Sequence, residues 1–249
     1  MLNFIGKVVL VTGASSGIGA ATAAAFSSEG ARVALVGRNV AKLSAAAKKC
    51  DKSLVIRADV SKDEDCKKLI DQVIEEFGQL DVLVNNAGIS TWGSILTGDI
   101  MKAYDDVMNV NVRAAIHLTK LAAPYLIKTQ GNVVNISSVL GQMPPTLPPS
   151  ITYCISKAAS NHFGQCAAVE LAPHGVRVNT ISPGPVKTDM IENSGYPVTW
   201  DDLKKGTILD RVSDPEEIAD VILFLASDKA RGITGSNYLT DNGFLIKRR

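Results

Sequence analysis

Tyr153 and Lys157 stand four residues apart in Tyr153-Cys154-Ile155-Ser156-Lys157. On a helix that spacing brings a phenol and an ammonium onto one face, one turn apart. A phenol with an ordinary pKa of about 10 is a poor acid or base near neutrality, and a neighbouring cation stabilises its phenolate. The pair is a candidate acid/base, although the same spacing also occurs on solvated helix faces. Ser138, fifteen residues earlier, closes Asn135-Ile136-Ser137-Ser138 at the mouth of an expected strand. Reducing a ketone requires hydride on carbon and hydrogen-bond donors where negative charge develops on oxygen. Ser138 and Tyr153 would be those donors, while Lys157 would depress the tyrosine pKa and hold the ribose of a nicotinamide. Oxidation of an alcohol uses the same groups with the proton running the other way.

A hydride carrier needs its own site. Thr12-Gly13-Ala14-Ser15-Ser16-Gly17-Ile18-Gly19 follows an expected strand and leads into an Ala-rich helix. Glycines in such a turn let backbone approach a pyrophosphate, and the helix N-terminus offers it free N–H groups and partial positive charge. The order is G-x-x-x-G-x-G, which departs from the G-x-G-x-x-G dinucleotide fingerprint. The second strand ends Val36-Gly37-Arg38-Asn39 without a carboxylate. An acid there selects a ribose 2′-hydroxyl and an arginine a 2′-phosphate, so Arg38 favours NADP(H) over NAD(H). Read otherwise, Arg38 is a solvated loop residue, and Ser16 supplies no second cation. Asp59-Val60 ends the third strand, where it could hold an adenine, and Asn85-Asn86-Ala87-Gly88 ends the fourth.

Positioning these groups calls for a parallel sheet covered by helices on both faces, because short β-branched runs alternate with longer amphipathic segments throughout. Strands are expected near Val8–Thr12, Arg32–Val36, Leu54–Arg57, Val82–Asn85, Asn132–Ser137, Arg177–Ile181 and Tyr238–Thr240. Helices are expected at Gly17–Ser28, Ala41–Lys49, Asp63–Phe77, Asp99–Lys128, Thr152–Leu171 and Pro215–Ala226, the last with Asp214 as N-cap. Asp99–Lys128 is long enough for two helices or one bent one. Without repeat or linker, the 249 residues form one doubly wound α/β domain of about seven strands. Two segments interrupt the pattern. Met143-Pro144-Pro145-Thr146-Leu147-Pro148-Pro149 must be a loop, and 189–212 is either a substrate lid or a variable surface excursion.

The balance of 46% hydrophobic residues and a net charge of +1 points to no nucleic-acid, membrane-surface or strongly charged partner, leaving a small molecule. The N-terminal residues lack a signal-peptide pattern and no apolar run spans a membrane, so a cytoplasmic protein is expected. Cys50, Cys66, Cys154 and Cys166 lack CxxC or zinc spacing and read as reduced structural thiols. His117, His162 and His174 have no triad-like context, no metal site is foreseen, and Asp63-Glu64-Asp65 and Asp201-Asp202 read as a helix start and a solvated loop.

Together these motifs resemble the single-domain short-chain dehydrogenase/reductase family, and the resemblance spans essentially the whole chain. It rests on the Thr12–Gly19 turn, Asp59-Val60, Asn85–Gly88, Asn111, Asn135–Ser138, the Tyr153–Lys157 pair and Pro183-Gly184-Pro185-Val186-Lys187-Thr188. It implies a tetrad of Asn111, Ser138, Tyr153 and Lys157, in which Asn111 positions a water that links Lys157 to solvent. It further implies that Pro183–Thr188 closes over the nicotinamide, with Val186 and Thr188 at its carboxamide, and that Asn86 serves the ribose region. Members similar to 3-oxoacyl reductases are often homotetramers packed through two long helices. Two departures stand out: a Ser138-to-Tyr153 interval about two residues longer than is common, and Asp241-Asn242-Gly243 where Asp-Gly-Gly is frequent, a change expected to matter only to a turn.

The function expected is NADP(H)-dependent interconversion of a carbonyl and an alcohol. Leu140, Met143, Leu147, Met190, Ile191, Tyr196 and Trp200 suggest an apolar pocket for a steroid, lipid-like or aromatic carbonyl, although core packing or lid anchoring would account for them too. The alternatives are an NAD-dependent alcohol dehydrogenase of the same family and a catalytically silent NADPH-binding module.

Overall fold

A computed structural model describes residues 2–144, 150–192 and 199–247. Its centre is a seven-stranded, wholly parallel sheet: β1 (Val8–Thr12), β2 (Arg32–Gly37), β3 (Ser53–Arg57), β4 (Val82–Asn85), β5 (Asn132–Ile136), β6 (Arg177–Pro183) and β7 (Asn237–Thr240). The order is β3-β2-β1-β4-β5-β6-β7, so the chain winds outward from β1 in one direction and then returns to build the other half from β4. In register, Thr12 faces Val36 on one side of β1 and Val11 faces Val84 on the other. The carboxyl ends of β1 and β4 therefore part at the point where the winding reverses, which in an open α/β sheet is where ligands bind.

Helices cover both faces. They are α1 (Gly17–Ser28), α2 (Val40–Ala47), α3 (Asp63–Phe77), α4 (Ile100–Met108), α5 (Ala114–Thr129), α6 (Ile151–Leu171), α7 (Asp189–Glu192), α8 (Trp200–Lys205) and α9 (Pro215–Ala226). All of β1 is buried, and its side chains alternate between two cores as a two-residue period requires. Val9 and Val11 join Phe26, Ile218 and Ile222 beneath α1 and α9. Val8 and Leu10 join Leu69, Leu118 and Leu126 beneath α3 and α5. Asn135, the asparagine of an apparent glycosylation triplet, is buried in β5 and accepts a hydrogen bond from Asn85 (2.9 Å).

Locally, one open alternative is resolved and one expectation overturned. The long segment before β5 is two α-helices joined by a π-turn, Asn109–Arg113, closed by the Ala114 N–H donating to the Asn109 carbonyl. Asp201 and Asp202 are helical: Thr199 caps α8 by accepting from Asp202 N–H (3.2 Å), and its own N–H donates to Asp202 (3.0 Å), a reciprocal capping box. The cap signal of Thr199 and Asp202 lies inside a polar stretch, so composition alone reads it as solvated loop. Asp214 occupies the N-cap of α9 without a side-chain cap bond, since its carboxylate takes Lys187 instead (3.0 Å).

Candidate active site

One cleft of about 590 Å³ runs across the carboxyl ends of the strands. Its first wall is the turn between β1 and α1. Gly13 sits at φ +66°, and a Cβ there would fall 2.8 Å from the Asn86 amide nitrogen; a Cβ on Gly19 would fall 2.4 Å from the Gly13 carbonyl oxygen. The turn is thus folded so tightly that α1 begins against backbone. Ser16 gives α1 no side-chain cap and its first turn holds no acid, so its N–H groups remain for an anion. Beneath the turn, Thr12 Oγ1 donates to the Val84 carbonyl (3.2 Å) and accepts from the Asn86 and Ala87 N–H groups (both 3.0 Å). The Asn86 amide donates to the Thr12 carbonyl (2.9 Å). Asn86 borders the cleft, but its side chain is committed to joining β1 and β4 rather than projecting as a free ribose ligand.

Arg38, Asn39, Asp59 and Val60 form the next part of the wall. Burial alone would raise the Asp59 carboxyl; the Ser61 hydroxyl and N–H, with Arg38 and Lys62 nearby, outweigh it and hold Asp59 below the ordinary carboxylate range. Ser61 Oγ donates to it at 2.8 Å. Lys42, which sequence reasoning passed over, also lines this wall and pairs with Asp189 at the start of α7. Lys42 lies in the first turn of α2, just beyond Asn39, which caps that helix directly after Arg38.

At the other end, Ser138, Tyr153 and Lys157 line the same cleft. Ser138 opens a short turn by accepting from Leu140 N–H (3.2 Å), which leaves its hydroxyl hydrogen for a ligand oxygen. Lys157 is 3% exposed; its ammonium donates to the Ile136 carbonyl (2.8 Å) and stands 5.5 Å from the centre of the Tyr153 ring. Burial pushes this lysine down to about 8. Asn111 lies behind the lining, in the π-turn. Its carboxamide donates to the Ile89 carbonyl (2.9 Å) and to Ser156 Oγ (3.0 Å), and accepts from Ile89 N–H (2.8 Å). It therefore ties the β4 exit to α6. A Cβ on Gly88 would meet both the Asn111 oxygen (3.5 Å) and the Lys157 nitrogen (3.6 Å), so the two stand over one spot.

Gly13, Ser15, Ser16, Gly17, Ile18, Ala87, Gly88, Pro183, Gly184, Val186 and Thr188 all border the cleft; Gly19 does not. Of the apolar residues singled out, Leu140 and Met190 line it, while Met143 and Trp200 are half-buried outside its lining. Ile191 belongs to α7, and Leu147 and Tyr196 lie outside the described residues. Ile89, Leu203 and Phe244 complete the apolar side and were missed.

Phe244 arrives there because of Asn242. At φ +52° Asn242 reverses the chain after β7, its carbonyl accepts from the N–H groups of Ile208 (3.0 Å) and Leu209 (3.1 Å), and its amide donates to Ser213 (2.9 Å). The departure from Asp-Gly-Gly thus anchors the segment after α8, a larger role than a turn. Among the described residues, no helix is long and apolar enough to cross a membrane.

Comparison with known proteins points the same way. The family model described as Enoyl-(Acyl carrier protein) reductase matches residues 13–245. A 3-oxoacyl-[acyl-carrier-protein] reductase, FabG, of Thermotoga maritima is 37% identical over 97% of this chain and 98% of its own. An NAD-dependent glycerol dehydrogenase of Listeria innocua is 34% identical over 98% of this chain and 96% of its own. The crystal structure of a short-chain type dehydrogenase/reductase from Mycobacterium marinum matches with a TM-score of 0.91 at 31% identity, covering 98% of each chain. By sequence over nearly its whole length and by fold, the chain belongs to the short-chain dehydrogenase/reductase family of oxidoreductases.

Proposed function

We propose that the protein is an NADP(H)-dependent carbonyl reductase that interconverts a ketone or aldehyde and an alcohol on an apolar substrate. The observation that carries this reading is the single cleft that joins the glycine turn and Arg38 at one end to Ser138, Tyr153 and Lys157 at the other. The uncapped α1 N-terminus and the glycine cradle fit a pyrophosphate, with Gly13, Ser15, Ser16, Gly17 and Ile18 holding it, Asp59 and Val60 at the adenine, and Pro183, Gly184, Val186 and Thr188 over the nicotinamide. When bound, the cofactor supplies the hydride.

The chain's own groups manage the oxygen. Ser138 donates a hydrogen bond to the substrate oxygen, and Tyr153 passes its phenolic proton to that oxygen as charge grows there. Lys157 lies beside the ring, where its ammonium stabilises the phenolate left behind. Asn111 fixes the β4 exit and α6 relative to each other, and a relay of protons from solvent to Lys157 past Asn111 completes the cycle. Ile89, Leu140, Met190, Leu203 and Phe244 keep the substrate side apolar and favour a steroid, lipid-like or aromatic carbonyl over a sugar. Exposed Ile116 on α5 and Ile155 and Val169 on α6 suit packing of copies into a homotetramer, which the mass of the protein in solution would check. Four free cysteines suit a reducing, cytoplasmic setting.

The test is turnover of a panel of ketosteroids, β-ketoacyl thioesters, retinal, quinones and diketones with NADPH and with NADH, for wild type and Arg38→Asp. NADPH-preferring reduction of an apolar carbonyl, with the preference reversed in Arg38→Asp, is the expected result. Wild-type preference for NADH would overturn the cofactor reading and favour the NAD-dependent alternative; tight NADPH binding without any turnover would favour the silent binding module.

A further inference from the structure

We infer that Lys42 is a second cation of the cofactor's 2′-phosphate subsite and that Asp189 competes with the phosphate for it. This rests on the NADP(H) reading and adds to it a specificity residue on another element. Asn39 accepts from the Lys42 N–H (3.0 Å), which caps α2 and fixes the start of this helix immediately after Arg38. The Lys42 ammonium is paired with the Asp189 carboxylate across the cleft edge, and Ser16 of the glycine turn hydrogen-bonds the same carboxylate. The preceding residue, Thr188, packs its methyl on Gly17, so Asp189 is held over the turn rather than swinging free.

The charges at this end are Arg38 and Lys42 against Asp59 and Asp189, with Lys62 close to Asp59. Arg38 already faces Asp59, whose carboxylate is kept ionised by Ser61. Without Lys42, a single arginine would have to hold a phosphate with two carboxylates nearby. With Lys42 the subsite has two cations, and one of them is exchangeable: Lys42 and Asp189 are both half-exposed, so their pair is weak and screened. A phosphate bearing nearly two charges and three acceptor oxygens is the stronger partner for the ammonium.

The experiment is calorimetric titration of wild type, Arg38→Ala, Lys42→Met, Lys42→Arg and Asp189→Asn with 2′,5′-ADP and, separately, 5′-ADP. Lys42→Met should weaken 2′,5′-ADP by about tenfold and leave 5′-ADP within about twofold, the size of one lost charge-assisted contact. Lys42→Arg should restore the affinity, and Asp189→Asn should tighten 2′,5′-ADP by about threefold by freeing an exposed ion pair. Equal losses on both probes in Lys42→Met, or none, would overturn the assignment of Lys42 while a wild-type preference for 2′,5′-ADP lost in Arg38→Ala leaves the NADP(H) reading standing. Unchanged affinity in Asp189→Asn would overturn the competition. A wild type that prefers 5′-ADP overturns both readings together.

Discussion

The two ends of the cleft are held in different ways. The glycine turn and the residues after β2, β3 and β4 are fixed by a parallel register and by Thr12 and Asn86, which lace β1 to β4. The apolar side hangs on short helices and a chain reversal: Met190 from α7, Leu203 from α8 and Phe244 from beyond β7, the last two segments joined by Asn242 and by Lys247, whose ammonium donates to the Thr207 carbonyl (2.9 Å). A sheet register cannot slip by one residue without turning every side chain to the wrong face. Loop hydrogen bonds carry no such penalty. On the proposed function, the cofactor end and the Tyr153–Lys157 pair stand on the sheet and its long helices, while the apolar residues proposed for substrate choice stand on elements that can change without moving either residue.

Substitutions can break that division. Lys157→Met should lower turnover by about a thousandfold, as removal of an acid/base partner does. The same change should raise stability at pH 7, because it removes a buried, desolvated charge that packing pays for. The sign follows from burial: the folded pKa of about 8 lies below the ordinary 10.5, so the native state is penalised wherever the unfolded lysine is protonated. That penalty is complete below about 8 and fades as pH rises toward 10.5. The gain of Lys157→Met over wild type, up to about 3 kcal/mol or several degrees of Tm, should shrink over that window. Thermal melts of both proteins from pH 7 to 10.5 measure it, and a gap that widens with pH would refute the burial argument.

Gly19→Ala attacks the rigid end from outside the lining. Its Cβ would meet the Gly13 carbonyl at 2.4 Å, backbone that has nowhere to go. Loss of about a hundredfold in NADPH affinity is expected, the scale of a misplacement near one ångström. Fluorescence titration gives the value directly. Phe244→Ala tests the other end: KM for an apolar carbonyl should rise about tenfold while NADPH affinity stays put, the loss of one aromatic contact. Asn242→Ala should give a smaller rise of a few fold in KM, since its carbonyl is backbone, while its amide bonds, worth about 1 kcal/mol each, are lost and alanine is strained at φ +52°. If either variant weakened NADPH as much as substrate, the two ends would not be separable.

How far the sequence was legible follows the same division. Every strand and the long helices announce themselves by local period, and the glycine turn, Arg38, Ser138 and the Tyr153–Lys157 pair are each contained within a few residues. Phe244, Leu203 and Ile89 were not legible because nothing local marks them; they line one cleft from three separate stretches of chain, Phe244 by way of a positive-φ asparagine. Lys42 fell between, since its nearness in sequence to Arg38 was visible but its partner Asp189, 147 residues on, was not. Asn111 came only from the family resemblance: its role in tying Ile89 to Ser156 is a long-range contact made from within a π-turn, a feature frequent at functional sites.

The measurement that tests the catalytic assignment most directly is single-turnover hydride transfer from pre-bound NADPH to an accepted carbonyl in Tyr153→Phe, beside a fluorescence titration of the same variant with NADPH. The phenyl ring keeps the shape of the site and removes only the ionisable hydroxyl. Transfer should slow by about a thousandfold or more with NADPH affinity within about twofold of wild type. Hydride transfer at the wild-type rate in Tyr153→Phe would contradict the assignment of Tyr153 as the acid.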